Sequence, residues 1–286
     1  MTAGFWIALL VTLVATPILA QMALALGFVD SRESGLARRK PRESPVPPVG
    51  GLAVLLGLGA ASLWTGAELP WAALLVGFGV GLVDDLRPGG LGPGLKFAGQ
   101  CVAGCVLGWC LGDGVWGMVV LSLWAVVAMN AANTFDCADG ACGALGVVAL
   151  TGRSVAAPAL LGFLPWNVFV RRGPERVPLA YLGDSGSHLV GVLVASCPEA
   201  RWVLVLPLLD LGRLCVLRLR QGRRPWDGDR LHLAHELERR GLGVLAVLGV
   251  LLGMLVLGRL AGWGWVVGAF LGLVGWGRSR APGPGT

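Results

Sequence analysis

Residues 115–140 read VWGMVVLSLWAVVAMNAANTFDCADG. The stretch begins as an uncharged apolar run and, from Asn130 onward, turns into amides and carboxylates. An α-helix needs about 20 apolar residues to cross the hydrocarbon core of a bilayer. The spacing therefore predicts a membrane span over 115–133 whose inner end is polar. An ionisable group at the edge of such a span costs roughly several kcal/mol unless it is paired, hydrated or holding a metal, so it reads as functional.

The same pattern recurs on both sides. Apolar segments fall at 3–26, 49–67, 70–83, 95–111, 140–151, 155–166, 183–196, 202–217, 242–259 and 262–277. These predict an all-α, polytopic membrane helix bundle of about 10–11 transmembrane helices, forming one domain over 1–286. The 140–151 and 155–166 segments are short and predict a shallow hairpin turning at Gly152-Arg153-Ser154. Composition agrees. Of 286 residues, 55% are hydrophobic and only 14% charged, against about a quarter charged in soluble domains. The 46 Gly and 12 Trp fit close helix contacts and interfacial anchors. The first segment is longer than a cleaved leader and lacks a basic start, which predicts a retained helix.

The net charge of +6 would suggest nucleic acid in a soluble protein. Here basic loops hold one face against anionic lipid, and no nucleic-acid partner is expected. With the N-terminus outside, every Lys and Arg except Arg153, Arg201 and Arg259 falls inside. That orientation predicts a multi-pass protein of the inner or plasma membrane with its polar clusters on the cytoplasmic face. Cys101, Cys105 and Cys110 lie in an apolar run without His and read as buried thiols.

Four clusters could carry chemistry. Asp84-Asp85 ends an apolar helix. Neighbouring helical positions lie about 100° apart, so one carboxylate can face a metal or phosphate while the other is anchored. Asn130, Asn133, Asp136 and Asp139 recur every three residues. On a helix they would make one oxygen-rich face suited to Mg²⁺ and to hydroxyls or a base edge, with Gly140 turning the chain. Gly183-Asp184-Ser185-Gly186-Ser187 offers a hard-metal ligand in a glycine-flanked turn whose N–H groups can meet phosphate. In the large basic loop, Asp229, His232 and His235 would share a face if helical. That face suits diphosphate contact better than Zn²⁺, for which a third clear ligand is missing. Arg38-Arg39-Lys40-Pro41-Arg42, followed by Pro45 to Gly51, would hold cations stiffly at the surface.

Taken together, from Gly27 to about Gly243, these segments resemble the polyprenyl-phosphate N-acetylhexosamine-1-phosphate transferase family. The resemblance rests on Val29-Asp30 with Arg39-Lys40 and Pro45 to Gly51, and on Gly81 to Asp85 with Lys96 and Gln100. It continues through Asn130 to Gly140, Gly162 to Asn167, Leu182 to Ser187, Leu209-Asp210 and Asp229 to His235. It implies transfer of N-acetylhexosamine-1-phosphate from a UDP-sugar, UDP-N-acetylglucosamine first, to undecaprenyl or another polyprenyl phosphate. UMP is released and a lipid-linked glycan for the cell envelope is begun. It further implies Mg²⁺, with Mn²⁺ as the alternative, and leaves a homodimer open. By position, Asp184 and Asn133 would hold the metal, while Asp84, Asp85, Asp136 and His232 would act at the reacting phosphates. Lys40, Lys96, Asn130, Asp139, Asn167 and His235 would bind substrates.

The chain departs from the family at several points. Cys137 stands where the motif has Gly, Arg42 where it has His, and Pro48 where it often has Arg. Ala234 interrupts the His run, and the interval from Gly140 to Gly162 is short. Two other readings compete. An intramembrane aspartyl protease would need a second Asp mid-span, usually after Tyr, but the single Tyr181 precedes Asp184 itself. A transporter or a catalytically degenerate homologue would keep the polar face without turnover.

Overall fold

The computed structural model describes residues 2–29, 44–152 and 154–278. Lys40, with Asp30, Arg38, Arg39, Arg42 and Arg153, lies outside the described residues. Among the described residues twelve α-helices follow in chain order: α1 (Thr2–Ala25), α2 (Gly50–Thr65), α3 (Trp71–Leu86), α4 (Pro93–Leu111), α5 (Gly114–Phe135) and α6 (Ala141–Leu150), then α7 (Ala156–Leu164), α8 (Gly183–Ser196), α9 (Val205–Arg220), α10 (Leu233–Arg239), α11 (Val244–Ala261) and α12 (Trp263–Arg278). A two-stranded antiparallel ribbon, β1 (Arg171–Arg172) with β2 (Val177–Pro178), is the only sheet among the described residues.

All eleven apolar segments are helical, so the protein is an all-α membrane bundle. Four helices, α1, α4, α5 and α11, are long and apolar enough to cross a bilayer alone. The other apolar segments form shorter helices. α2 and α3 have 16 residues each, about 24 Å at 1.5 Å per residue, against a core of about 30 Å. α6 and α7 are shorter still and pack on one another as the expected hairpin. α10 is an addition. Its seven residues bury Leu233, Ala234, His235 and Leu237, carry Glu236, Glu238 and Arg239, and lie in the basic loop. Leu63, Trp116 and Leu260 are 89%, 81% and 81% exposed, a surface that fits lipid rather than water.

The bundle is built around α8. Every residue of α8 except Asp184 and Ser196 is buried, as expected for a helix surrounded by others. α3 and α5 pack on it most extensively, with α2, α6 and α4 around them. The approach is close because glycine stands at the contacts. A Cβ on Gly81 of α3 would lie 2.4 Å from the backbone C and O of Asp184. One on Gly51 of α2 would lie 2.4 Å from Gly186 N. The proline-rich entry to α2 is not a free surface loop. Val46 to Gly51 are buried, Pro47 O accepts from Tyr181 N at 3.0 Å, and Gly51 N donates to Leu182 O at 2.8 Å.

Candidate functional site

Asp184 begins α8 and faces three neighbouring helices. Lys96 Nζ of α4 lies 2.5 Å from Asp184 Oδ2 and 3.2 Å from Asp84 Oδ2 of α3. Asn133 Nδ2 of α5 donates to Asp184 Oδ1 at 2.6 Å and reaches Ser187 Oγ at 3.4 Å. Four helices thus bring Asp84, Lys96, Asn133 and Asp184 to one point. Lys96 sits in the first turn of α4, where a helix dipole disfavours a cation. Its two carboxylate partners offset that.

The two adjacent aspartates divide their work. Asp84 Oδ1 accepts Leu91 N at 2.6 Å, while its Oδ2 faces Lys96. Asp85 turns the other way and takes the free amides at the start of α8. Asp184 N donates to Asp85 Oδ1 at 2.9 Å and Ser185 N to Oδ2 at 3.0 Å. This satisfies two of the four orphan N–H groups of a helix start and places negative charge at its positive end. Gly183 makes the contact fit. Its φ is +78°, and a Cβ there would lie 2.7 Å from Asp85 Oδ2. Asp85, expected at the reacting phosphates, instead positions Asp184.

The every-third-residue row does not form one face. α5 ends at Phe135, where Asp136 N reaches back to Ala132 O and Asn133 O at 3.1 and 3.2 Å. A tight turn follows, and Gly140 adopts φ +81°. Asp139 is therefore carried away from Asn133 and pairs with Arg171 Nη1 at 2.6 Å. Asn130 lies a turn deeper in the bundle, donating to Gln100 Oε1 and to Val126 O, each at 2.8 Å. Asn167 is a clamp. Its Oδ1 accepts Gly140 N at 2.5 Å and its Nδ2 donates to Ala180 O at 2.9 Å. Both ends of that amide hold backbone, which leaves little for a nucleotide. Its setting is a π turn over Pro165–Phe169 that closes on Val170 N to Pro165 O.

His232 and His235 form a second group. Their rings meet edge to face, with centroids 6.1 Å apart. His232 Nδ1 lies 3.5 Å from Asp210 Oδ2, and His235 Nδ1 lies 2.9 Å from Glu238 Oε2. Asp210 also accepts Leu233 N at 3.2 and 3.1 Å, capping α10, and pairs with Arg213. Asp229 does not share a helix face with the histidines, because α10 starts only at Leu233. It sits in the preceding loop, gripped by Arg218 Nε at 2.8 Å and Nη2 at 3.2 Å. Burial works against its charge, but Arg218 and the Leu231 amide hold it below the usual carboxylate range.

The side chains of Asp84, Asn133 and Asp184 offer hard oxygens, and two carboxylates around one ammonium leave an excess of negative charge. That chemistry fits Mg²⁺ or Mn²⁺, which one or two carboxylates hold when phosphates complete the shell. No cluster of three or more His, Cys, Asp or Glu able to hold a metal by itself occurs among the described residues. The fit is thus to a cation shared with a phosphate-bearing ligand.

Curated proteins resemble the chain over most of its length. The decaprenyl-phosphate N-acetylglucosaminephosphotransferase of Mycobacterium tuberculosis (strain ATCC 25618 / H37Rv) is 28% identical over 317 residues, covering 82% of this chain and 74% of the relative. That of Mycobacterium leprae (strain TN) is 26% identical over 76% and 73%. The undecaprenyl-phosphate alpha-N-acetylglucosaminyl 1-phosphate transferase of Yersinia pestis is 29% identical over 77% and 72%. The chain is thus similar over about three quarters of its length to curated polyprenyl-phosphate N-acetylglucosaminephosphotransferases. No family model matches it.

Cys137 behaves as a packed thiol. It is partly buried against the core, and burial pushes its pKa well above the ordinary value, with the charges of Asp210, Asp136 and Glu238 acting the same way. Arg176 is the one described non-glycine residue with positive φ, so Cys137 occupies backbone that any residue adopts. At pH 7 the thiol stays protonated, and the thiolate is the nucleophile. Alkylation of Cys137 on a background without other cysteines is expected to be slow, to quicken as pH rises, and to be unaffected by UDP-sugar. Mass spectrometry of labelled peptide at pH 7 and 9 checks this, and rapid labelling at pH 7 blocked by UDP-sugar would reverse it.

Proposed function

We propose that the protein transfers N-acetylglucosamine-1-phosphate from UDP-N-acetylglucosamine to a polyprenyl phosphate at the cytoplasmic face of the membrane, releasing UMP. The observation that carries this reading is the convergence of Asp84, Lys96, Asn133 and Asp184 from four helices. A phosphate oxygen of the lipid attacks the β-phosphorus of the nucleotide sugar. A new P–O–P bond forms to the lipid phosphate, the bond between β-phosphorus and the bridging oxygen breaks, and UMP carries that oxygen away.

The chain's residues divide that work. A lipid phosphate is already largely ionised at pH 7, so no carboxylate is needed to deprotonate it. Lys96 is placed to take up charge developing on phosphate oxygens, and its pairing with Asp84 and Asp184 keeps it fixed before substrate arrives. Asp184 and Asp84, with Asn133 beside them, would hold a divalent cation, which supplies charge neutralisation between donor and acceptor phosphates. Asp85 keeps the start of α8 in place. His232 and His235, whose rings lie side by side, are the imidazoles that would meet a diphosphate.

The test is UMP release from purified protein given undecaprenyl phosphate, Mg²⁺ and a panel of UDP-sugars. Turnover with UDP-N-acetylglucosamine is expected, together with its loss in excess chelator and recovery on adding Mg²⁺ or Mn²⁺. No UMP from any sugar would defeat the reading, and full turnover in chelator would remove the cation from it.

A further inference from the structure

Beneath the carboxylate cluster runs a buried chain of polar groups that none of the steps above uses. His188 of α8 is fully buried. Its Nδ1 lies 3.2 Å from Gly77 O of α3, and its Nε2 lies 3.0 Å from Gln100 Nε2 of α4. Gln100 Oε1 in turn accepts from Asn130 Nδ2 of α5 at 2.8 Å. A carbonyl only accepts and an amide NH₂ only donates. Nδ1 therefore carries the proton and Nε2 accepts, which is a neutral imidazole in one tautomer.

The helices joined by this chain are the four that build the cluster. Gln100 follows Lys96 by four residues, and His188 follows Asp184 by four. Asn130 precedes Asn133 by three, and Gly77 precedes Asp84 by seven. At helical spacing each member lies on the face of its partner, one or two turns deeper. In lipid, apolar burial does little to choose helix register, and the glycine contacts around α8 would allow sliding. Directional bonds between buried polar groups specify it instead.

We propose that His188 is a positioning residue: its relay through Gln100 to Asn130 and to Gly77 fixes the register of α3, α4, α5 and α8, and so the meeting of Asp84, Lys96, Asn133 and Asp184. Only the activity arm of its test rests on the reading under Proposed function. The chain has three histidines, so ¹⁵N-histidine labelling with His188→Leu as reference identifies the His188 signals. They should show the neutral Nδ1–H tautomer and should change in Gln100→Leu. Signals indifferent to Gln100→Leu overturn the relay.

In the activity arm, His188→Leu should lower kcat by about 10- to 100-fold while KM for the UDP-sugar stays within about 3-fold, as for a small displacement of reacting groups. His188→Asn, whose amide can reach Gly77 O, should recover part of the loss. Replacing both partners by apolar groups tends to restore stability. The Gln100→Leu/His188→Leu variant should therefore regain thermal stability yet keep the low kcat. Return of kcat together with stability would reduce His188 to a packing residue. A wild-type protein that releases no UMP would overturn the proposed reaction and leave the nitrogen signals to decide the relay.

Discussion

Asp184→Asn is expected to lower UMP release by roughly 10³-fold while the protein folds and inserts as before. The reason is that the substitution removes charge and little else. The side chain keeps its size, and its oxygen can still accept from Asn133 Nδ2, which now lies at 2.6 Å. Lys96 keeps Asp84 as partner. What is lost is the anionic oxygen nearest Lys96 and the strongest candidate ligand for a divalent cation. Asp85→Ala makes the informative contrast. Asp85 accepts two amides at the start of α8, and losing such a cap costs about 1–2 kcal/mol. It should reduce turnover and thermal stability together. Comparing the two in one UMP assay and one detergent melt separates the site from its support. An Asp184→Asn protein with near-normal turnover would remove Asp184 from the chemistry.

Gly81→Val is expected to be the most damaging change that touches no polar atom. A Cβ at this position would stand 2.4 Å from Asp184 C and O and from Ser185 N. Those are backbone atoms of a helix buried on nearly all sides, so no side chain can swing away. α3 must retreat from α8, and the Asp85 contacts at 2.9 and 3.0 Å go with it. Overpacking of this kind costs roughly 1–3 kcal/mol and at times more, and a shift of about 1 Å at a reacting group costs about 10²-fold in rate. A lower melting temperature and a kcat reduced at least that far are expected. Gly79, two residues away with open space around its Cβ position, is the control. Gly79→Val should leave both nearly unchanged, and equal damage at 79 and 81 would rule out the α3–α8 contact as the cause.

Much of the architecture was legible because the bilayer imposes a long and simple period. Every apolar segment became a helix, and the weak hairpin signal at 140–166 became two short helices. Within the site, the acidic residues at 84 and 184 were visible as charges in an apolar context. Their partition was not. Nothing local tells that Asp85 caps a helix whose first residue lies 98 positions away in sequence. The regular row from Asn130 to Asp139 misled because a three-residue spacing reads as one face only while the helix lasts, and α5 stops at Phe135. Asp229 misled for the same reason at the start of α10. His188 carried a signal that was passed over. It is an ionisable residue inside an apolar segment, one position beyond the Gly183 to Ser187 cluster, where an intramembrane charge or imidazole is functional by default.

The bond from Asp184 N to Asp85 joins residues 99 apart in the chain, and that distance orders the protein's assembly. During synthesis α3 and α4 enter the membrane long before α8 is made, so Asp84, Asp85 and Lys96 wait without their partner. The interval includes α5 and the α6–α7 hairpin, all of which must be accommodated before α8 can be received between α3 and α5. Contacts this distant in sequence form late and slowly. A nascent chain halted before Gly183 holds Asp84 and Asp85 but neither Asp184 nor the helix that carries it, so the cluster is completed by the insertion of a single short segment.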